Sequence, residues 1–368
     1  MDRFSAWLEE YNLSPEQLAL VRIATSASFL LFSGMYHFEW MGEFPPVFFH
    51  PHPSLASFFH RFPPVLVLHL FNFSIPLFAV MLLAGYRTKL ASYGFAISFI
   101  ICYSFAWAFG QINSTILVPL FTFIMAPSGW GYKYSMDAYL DQGLKKSSGG
   151  QTFWVNYLAM FIAFAYFTSG FIKIAGGWLS VSSQATYGYL ITNYYVTHRT
   201  AILAPFLIHF HSKIFWEAGD YFTAIAEVSP LLTLLYPRYF RLSLFCIATF
   251  HILVFLGLNI SFGYYPLLLT VFIVDWKRSA IVRNTIVFFD KNASTFFRPA
   301  NWYWFAFIYA VYMVVFYARG YSSWLNGYPV EVSISLFITY ALMVIFFIEF
   351  ITLNGVLFVA GKQKERTL

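Results

Sequence analysis

Charge is what this sequence has least of. Only 10% of its 368 residues are Asp, Glu, Lys or Arg, while 59% are hydrophobic; a soluble domain usually carries about 25% charged residues. So few charges cannot cover a water-facing surface. Cysteine is nearly missing too. Cys102 and Cys246 both stand in apolar runs, which excludes a disulfide framework and a CxxC metal or redox motif and leaves two small buried hydrophobes. There is no Gly-rich phosphate loop, Gly-X-Ser-X-Gly elbow or His-Glu-X-X-His helix, no low-complexity tract, and no repeat at solenoid spacing. Met1 to Pro15, with Asp2, Glu9 and Glu10, lacks the basic region, apolar core and cleavage site of a signal peptide, so the first span after it is expected to be retained.

What the chain does have is long apolar runs, with 23% aromatic residues. A spanning helix needs about 20 mainly apolar residues, because its backbone must satisfy its own hydrogen bonds in lipid. That ruler gives ten candidates: 17–38, 64–85, 89–109, 111–127, 153–175, 217–236, 242–260, 262–276, 302–318 and 333–358. The expected fold class is therefore all-α, a multi-pass helical membrane bundle. The segments 111–127 and 262–276 are short, and each follows its predecessor after a tight polar turn, as in a helical hairpin. We read 1–368 as a single membrane domain, with two further spans in its C-terminal part, 300–368.

The formal charge of +6 and pI near 9.1 do not mark a nucleic-acid reader, which needs a clustered basic face. The expected partner is the lipid bilayer. Cytoplasmic loops retain Lys and Arg. With both termini inside, all but six of the 22 fall on inner segments, the exceptions being Arg22 in the first span and Arg61, Lys173, Arg199, Lys213 and Arg319 at or beyond outer ends. Two outer segments, 39–63 and 176–216, are rich in aromatics, Pro and His, and re-entrant or interfacial helices are expected there.

Ionisable groups inside a bilayer are costly and mark function by default. Arg22, Lys173, Glu227 and His251 stand out, with Glu349 a fifth. Lys173 lies at the outer end of the fifth span, in Tyr166-Phe167-Thr168-Ser169-Gly170-Phe171-Ile172-Lys173 before Trp178. It is either a desolvated amine able to accept a proton or a lysine snorkelling to headgroups beside an interfacial Trp. Glu227, near the middle of the sixth span, needs a cation, and Arg22 or Lys173 could supply it; a structural ion pair is the plain alternative. His251 is a site residue or a core histidine bonded to a neighbouring helix. The pairs His50/His52 and His209/His211 lie outside with His60 and His198. Imidazoles two residues apart on a helix point about 200° apart, and no Cys or close carboxylate completes a set, so no metal is expected.

Two stretches resemble the membrane domain shared by vitamin K-dependent gamma-carboxylases and their bacterial relatives, the horizontally transferred transmembrane domain. One is Tyr166 to Trp178, similar to the family's aromatic, Gly-X-X-Lys, Trp pattern. The other is Phe250-His251 followed by Gly257, Phe262, Gly263 and Tyr265. Supporting marks are Arg22, Asn113-Ser114, Ser135-Met136-Asp137-Ala138, and Glu227 with Pro230 and Arg238; the likeness covers about 17–280. It implies that Lys173 is the base that deprotonates vitamin K hydroquinone, menaquinol or another lipid quinol. Oxygen then converts that anion to a strong base, which takes a proton from a peptide glutamate before carbon dioxide adds. His251 would donate a hydrogen bond, while Glu227, Arg22 and Trp178 would line the cofactor. Asn113 stands where the carboxylases have a histidine that assists the carbanion. The C-terminal Gly361-Lys362-Gln363-Lys364 carries no large outer domain to hold a propeptide, so a processive carboxylase is not expected. The resemblance implies a bacterial plasma-membrane location. A membrane component of sporulation-delaying toxin production is similar to the same domain, which implies the alternative of a non-catalytic maturation or export factor for a secreted peptide. A transporter with Glu227 as proton relay would call for inverted repeats, which the sequence does not display.

Overall fold

The structure, a computed structural model, describes residues 3–32, 38–109, 116–140, 151–200, 202–260, 262, 265–319, 338 and 340–353. All regular elements among these residues are helical. In chain order they are α1 (Arg3–Glu10), α2 (Pro15–Phe32), α3 (Val65–Ala84), α4 (Thr88–Ala106), α5 (Leu117–Met125), α6 (Met136–Leu140), α7 (Gln151–Ala175), α8 (Ala185–Ile191), α9 (Ala204–Leu207), α10 (Lys213–Thr233), α11 (Pro237–Leu258), α12 (Tyr265–Ile273), α13 (Ala280–Phe297) and α14 (Trp302–Arg319); an apolar helix, α15, covers Tyr340–Leu353. Four helices are long and apolar enough to cross a bilayer: Val65–Ala84, Thr88–Phe109, Phe153–Ala175 and Pro237–Leu258. They mark a membrane protein. The short candidates at 111–127 and 262–276 hold α5 and α12, of 9 described residues each; residues 111–115, 263 and 264 lie outside the described residues.

The chain forms two compact units. The first comprises Met1–Tyr11, Asn156–Arg278 and Leu336–Leu368, the second Asn12–Val155 and Ser279–Ser335.

In the second unit, α2 starts at Ser14-Pro15-Glu16-Gln17. Gln17 N donates to Ser14 Oγ at 3.3 Å and Ser14 N donates to Gln17 Oε1 at 2.8 Å, a reciprocal cap with Pro at the first helical position, where its missing N–H costs nothing. Arg22, fully buried, donates to the carbonyls of Leu82, Leu83, Trp130 and Tyr134. Two of these belong to the last turn of α3, whose carbonyls lack intrahelical donors and favour a cation. Gly85, at φ +67°, ends that helix; a Cβ there would strike Ser135 and the Arg22 guanidinium. Asp137 accepts from the backbone N–H of Arg87 and Thr88 and from the Thr88 hydroxyl, each at 2.7 Å, and so caps α4. The Tyr134 hydroxyl donates to Asp290 of α13 at 2.7 Å; burial, then this carboxylate, raises that hydroxyl well above the usual phenol range.

In the first unit, α1 docks through the Glu10–Arg241 ion pair, a 2.7 Å bond from Lys277 Nζ to the Glu9 carbonyl, and Tyr11 packed on Phe240 and Phe272. Helices α10 and α11 pack as a hairpin. A core of Leu190, Ala204, Ile208, Trp216 and Leu258 lies under the segment before α10. Both outer segments singled out in the sequence therefore hold short helices, including 3-10 turns at Glu39–Glu43, Pro46–Phe48 and Leu55–Phe58.

Candidate functional site

Along α7, Tyr166, Ser169, Gly170 and Lys173 follow the spacing of one helical face. Gly170 carries no side chain for a reason of space: a Cβ there would lie 2.9 Å from Glu227 Cβ and 2.8 Å from Val228 Cγ2. Its absence lets α7 and α10 approach closely, as small residues do between membrane helices. One turn later the Lys173 ammonium donates to the Glu227 carboxylate and to Ser169 Oγ at 3.2 Å. The lysine side chain is 21% exposed and the glutamate 6%. Lys173 is therefore turned into the protein rather than extended into water, and of the two cations considered for Glu227 it is the partner. Arg22, the other, has its donors on carbonyls of the second unit.

Trp178 closes over this pair, with its ring centroid 5.4 Å from Lys173 Nζ. Its backbone N–H bonds the Lys173 carbonyl at 3.1 Å. The turn between them uses Gly177 at φ +84°, a conformation an L side chain resists. Trp178 also packs on Tyr189 of α8. The start of α8 is held by Asp220 of α10, which accepts from Ala185 N at 2.8 Å and Thr186 N at 2.7 Å, while the Tyr221 hydroxyl reaches the Leu179 carbonyl at 2.9 Å.

On the other side of the α7 stripe, Tyr166 Oη and His251 Nε2 of α11 share a 2.9 Å hydrogen bond. His251 is buried, with its ring centroid 4.1 Å from that of Phe262. Its Nδ1 has no partner among the described residues. Thus Lys173, Glu227 and Trp178 meet in the first unit, and His251 joins the same face of α7 two turns away through Tyr166. Arg22 belongs to the second unit, and Asn113 lies outside the described residues. Sequence reasoning missed Tyr166 and Ser169 as polar members of this face, although their spacing to Lys173 carries the signal. It also missed Glu217, whose buried carboxylate has no hydrogen-bond partner among the described residues. Ser135 and Asp137, marks of the family resemblance, serve helix caps here: Ser135 Oγ accepts from Ala138 N at 3.0 Å.

Set against known proteins, the chain matches no family model, no curated protein and no solved structure.

Proposed function

We propose that this protein is a membrane enzyme resembling the gamma-carboxylase membrane domain, with Lys173 as the base acting at a lipid quinol such as vitamin K hydroquinone or menaquinol. The observation that carries this reading is the inward ammonium of Lys173, held against Glu227 and Ser169 and covered by Trp178. An ammonium cannot accept a proton, so the pair must first rearrange. Transfer of the shared proton from Lys173 Nζ to Glu227 Oε2 leaves a free amine and a neutral acid, a state that low dielectric favours over separated charges. Nζ then accepts a proton from the bound hydroxyl.

The residues present fit such a group. Trp178, Phe262 and Tyr189 offer aromatic surface, and His251 Nδ1 is a buried polar atom awaiting a partner. Tyr166 shares a hydrogen bond with the other ring nitrogen and so holds the ring in the orientation that presents Nδ1. A bound quinol would supply the acidic hydroxyl and two reducing electrons.

A non-catalytic maturation factor for a secreted peptide is favoured by one observation, the complete internal pairing of Lys173 with Glu227. Detergent-purified protein assayed for quinol-dependent oxygen uptake separates the two. Lys173→Ala leaves Glu227 buried and unpaired and is expected to cost about 3–5 kcal/mol of stability. The double variant Lys173→Met, Glu227→Leu removes both charges and recovers most of that stability while uptake stays abolished. Uptake equal to wild type in the folded double variant would rule out the base.

We further infer both termini cytoplasmic and a multi-pass path near ten spans in a bacterial plasma membrane. The support is that sequence-assigned inner residues meet within each unit: Glu9 and Glu10 with Lys277 and Arg241 in one, Lys133 with Glu16 in the other.

A further inference from the structure

We propose that α13 is an in-plane anchor that seats the second unit on the anionic headgroups of a bilayer. At 18 residues it is long enough to span, but Arg283, Asp290 and Lys291 break its apolar run. Its helical wheel divides into three strips. The first is inward: Val282 and Phe297 are buried, and the Phe289 ring stacks on Tyr134 at 5.3 Å. The second, beside it, is apolar and uncovered, with Ile281 39%, Phe288 53% and Phe296 45% exposed. The third carries Arg283 and Lys291, both exposed, with Val287, 67% exposed, between them. One strip against protein, one apolar and one basic is the pattern of a helix lying at the headgroup boundary.

Charge selects the occupant of the uncovered strip. Tyr134 and Asp137 tie α13, the turn at 129–135 and the start of α4 to one end of this unit. That end gathers exposed Arg87, Lys89, Arg283, Lys291 and Arg298. The acids there are engaged, Asp137 with backbone N–H groups, Asp290 with Tyr134 and Glu16 with Lys133. A basic, apolar-edged surface on a protein that already resides in a membrane fits anionic lipid.

The test uses the full chain, with Cys102 and Cys246 replaced by Ala, reconstituted in vesicles of phosphatidylglycerol with phosphatidylcholine or of phosphatidylcholine alone. Spin labels at Phe288→Cys on the apolar strip and Ser294→Cys on the basic strip report collisions with oxygen, which concentrates in lipid, and with a water-soluble nickel chelate. In the anionic vesicles the oxygen-to-nickel ratio is expected several-fold higher at 288 than at 294. It should fall at 288 in the neutral vesicles, and also with Arg283→Glu, Lys291→Glu in the anionic ones. Equal ratios at both positions overturn the proposal. So does shielding of 288 from both reagents, which would mean a protein partner, or a ratio indifferent to lipid charge.

Discussion

At position 170 a single hydrogen atom separates two helices. Gly170→Val is expected to push α7 from α10, part Lys173 from Glu227, and destabilise the protein by about 1–3 kcal/mol, as overpacking does. Thermal unfolding measures the loss, and faster acylation of Lys173 reports the parted pair; unchanged reactivity would contradict the tight approach. This glycine was legible in the sequence only as part of a pattern, since spacing alone does not say which neighbour a small residue admits. Lys173, Glu227 and His251 were legible because ionisable side chains in apolar runs are conspicuous. Which cation would meet Glu227 was not, because both candidates sit in spans and only the fold brings α7 rather than α2 to it.

Helices were the most readable level, and their capping the least. Arg87 and Gln184, just before α4 and α8, both take left-handed backbone with no side-chain cap of their own. Each helix borrows a distant carboxylate instead, Asp137 for α4 and Asp220 for α8, at sequence separations no local motif can display. Asp220→Ala is expected to cost about 1–2 kcal/mol, the upper range for a lost cap. Hydrogen exchange at Ala185 and Thr186 should accelerate while α11 stays protected; uniform change across both helices would argue against a local role. The hydropathy ruler found the four long apolar helices. It left 277–301 outside every span, because α13 mixes Arg283, Asp290 and Lys291 into its apolar strips. Both units use one order of lengths: 20, 19 and 9 residues in α3, α4 and α5, then 21, 22 and 9 in α10, α11 and α12.

For the molecule as a whole, two compact units predict that unfolding is not a single transition. Arg241→Ala leaves Glu10 without its buried partner and is expected to lower the midpoint of one calorimetric transition while sparing the other. A common shift of both would mean that the units unfold together. The interleaving of the units was invisible in the sequence, since no linker or shift of composition marks the change at Tyr11 or Val155. It also bears on synthesis. Glu10 and Arg241 are 231 positions apart, so at about 5–20 residues per second the first helix leaves the ribosome tens of seconds before the residue that fastens it exists. During that interval α1 must wait without the residue that holds it, and a chaperone or a premature contact would compete for it.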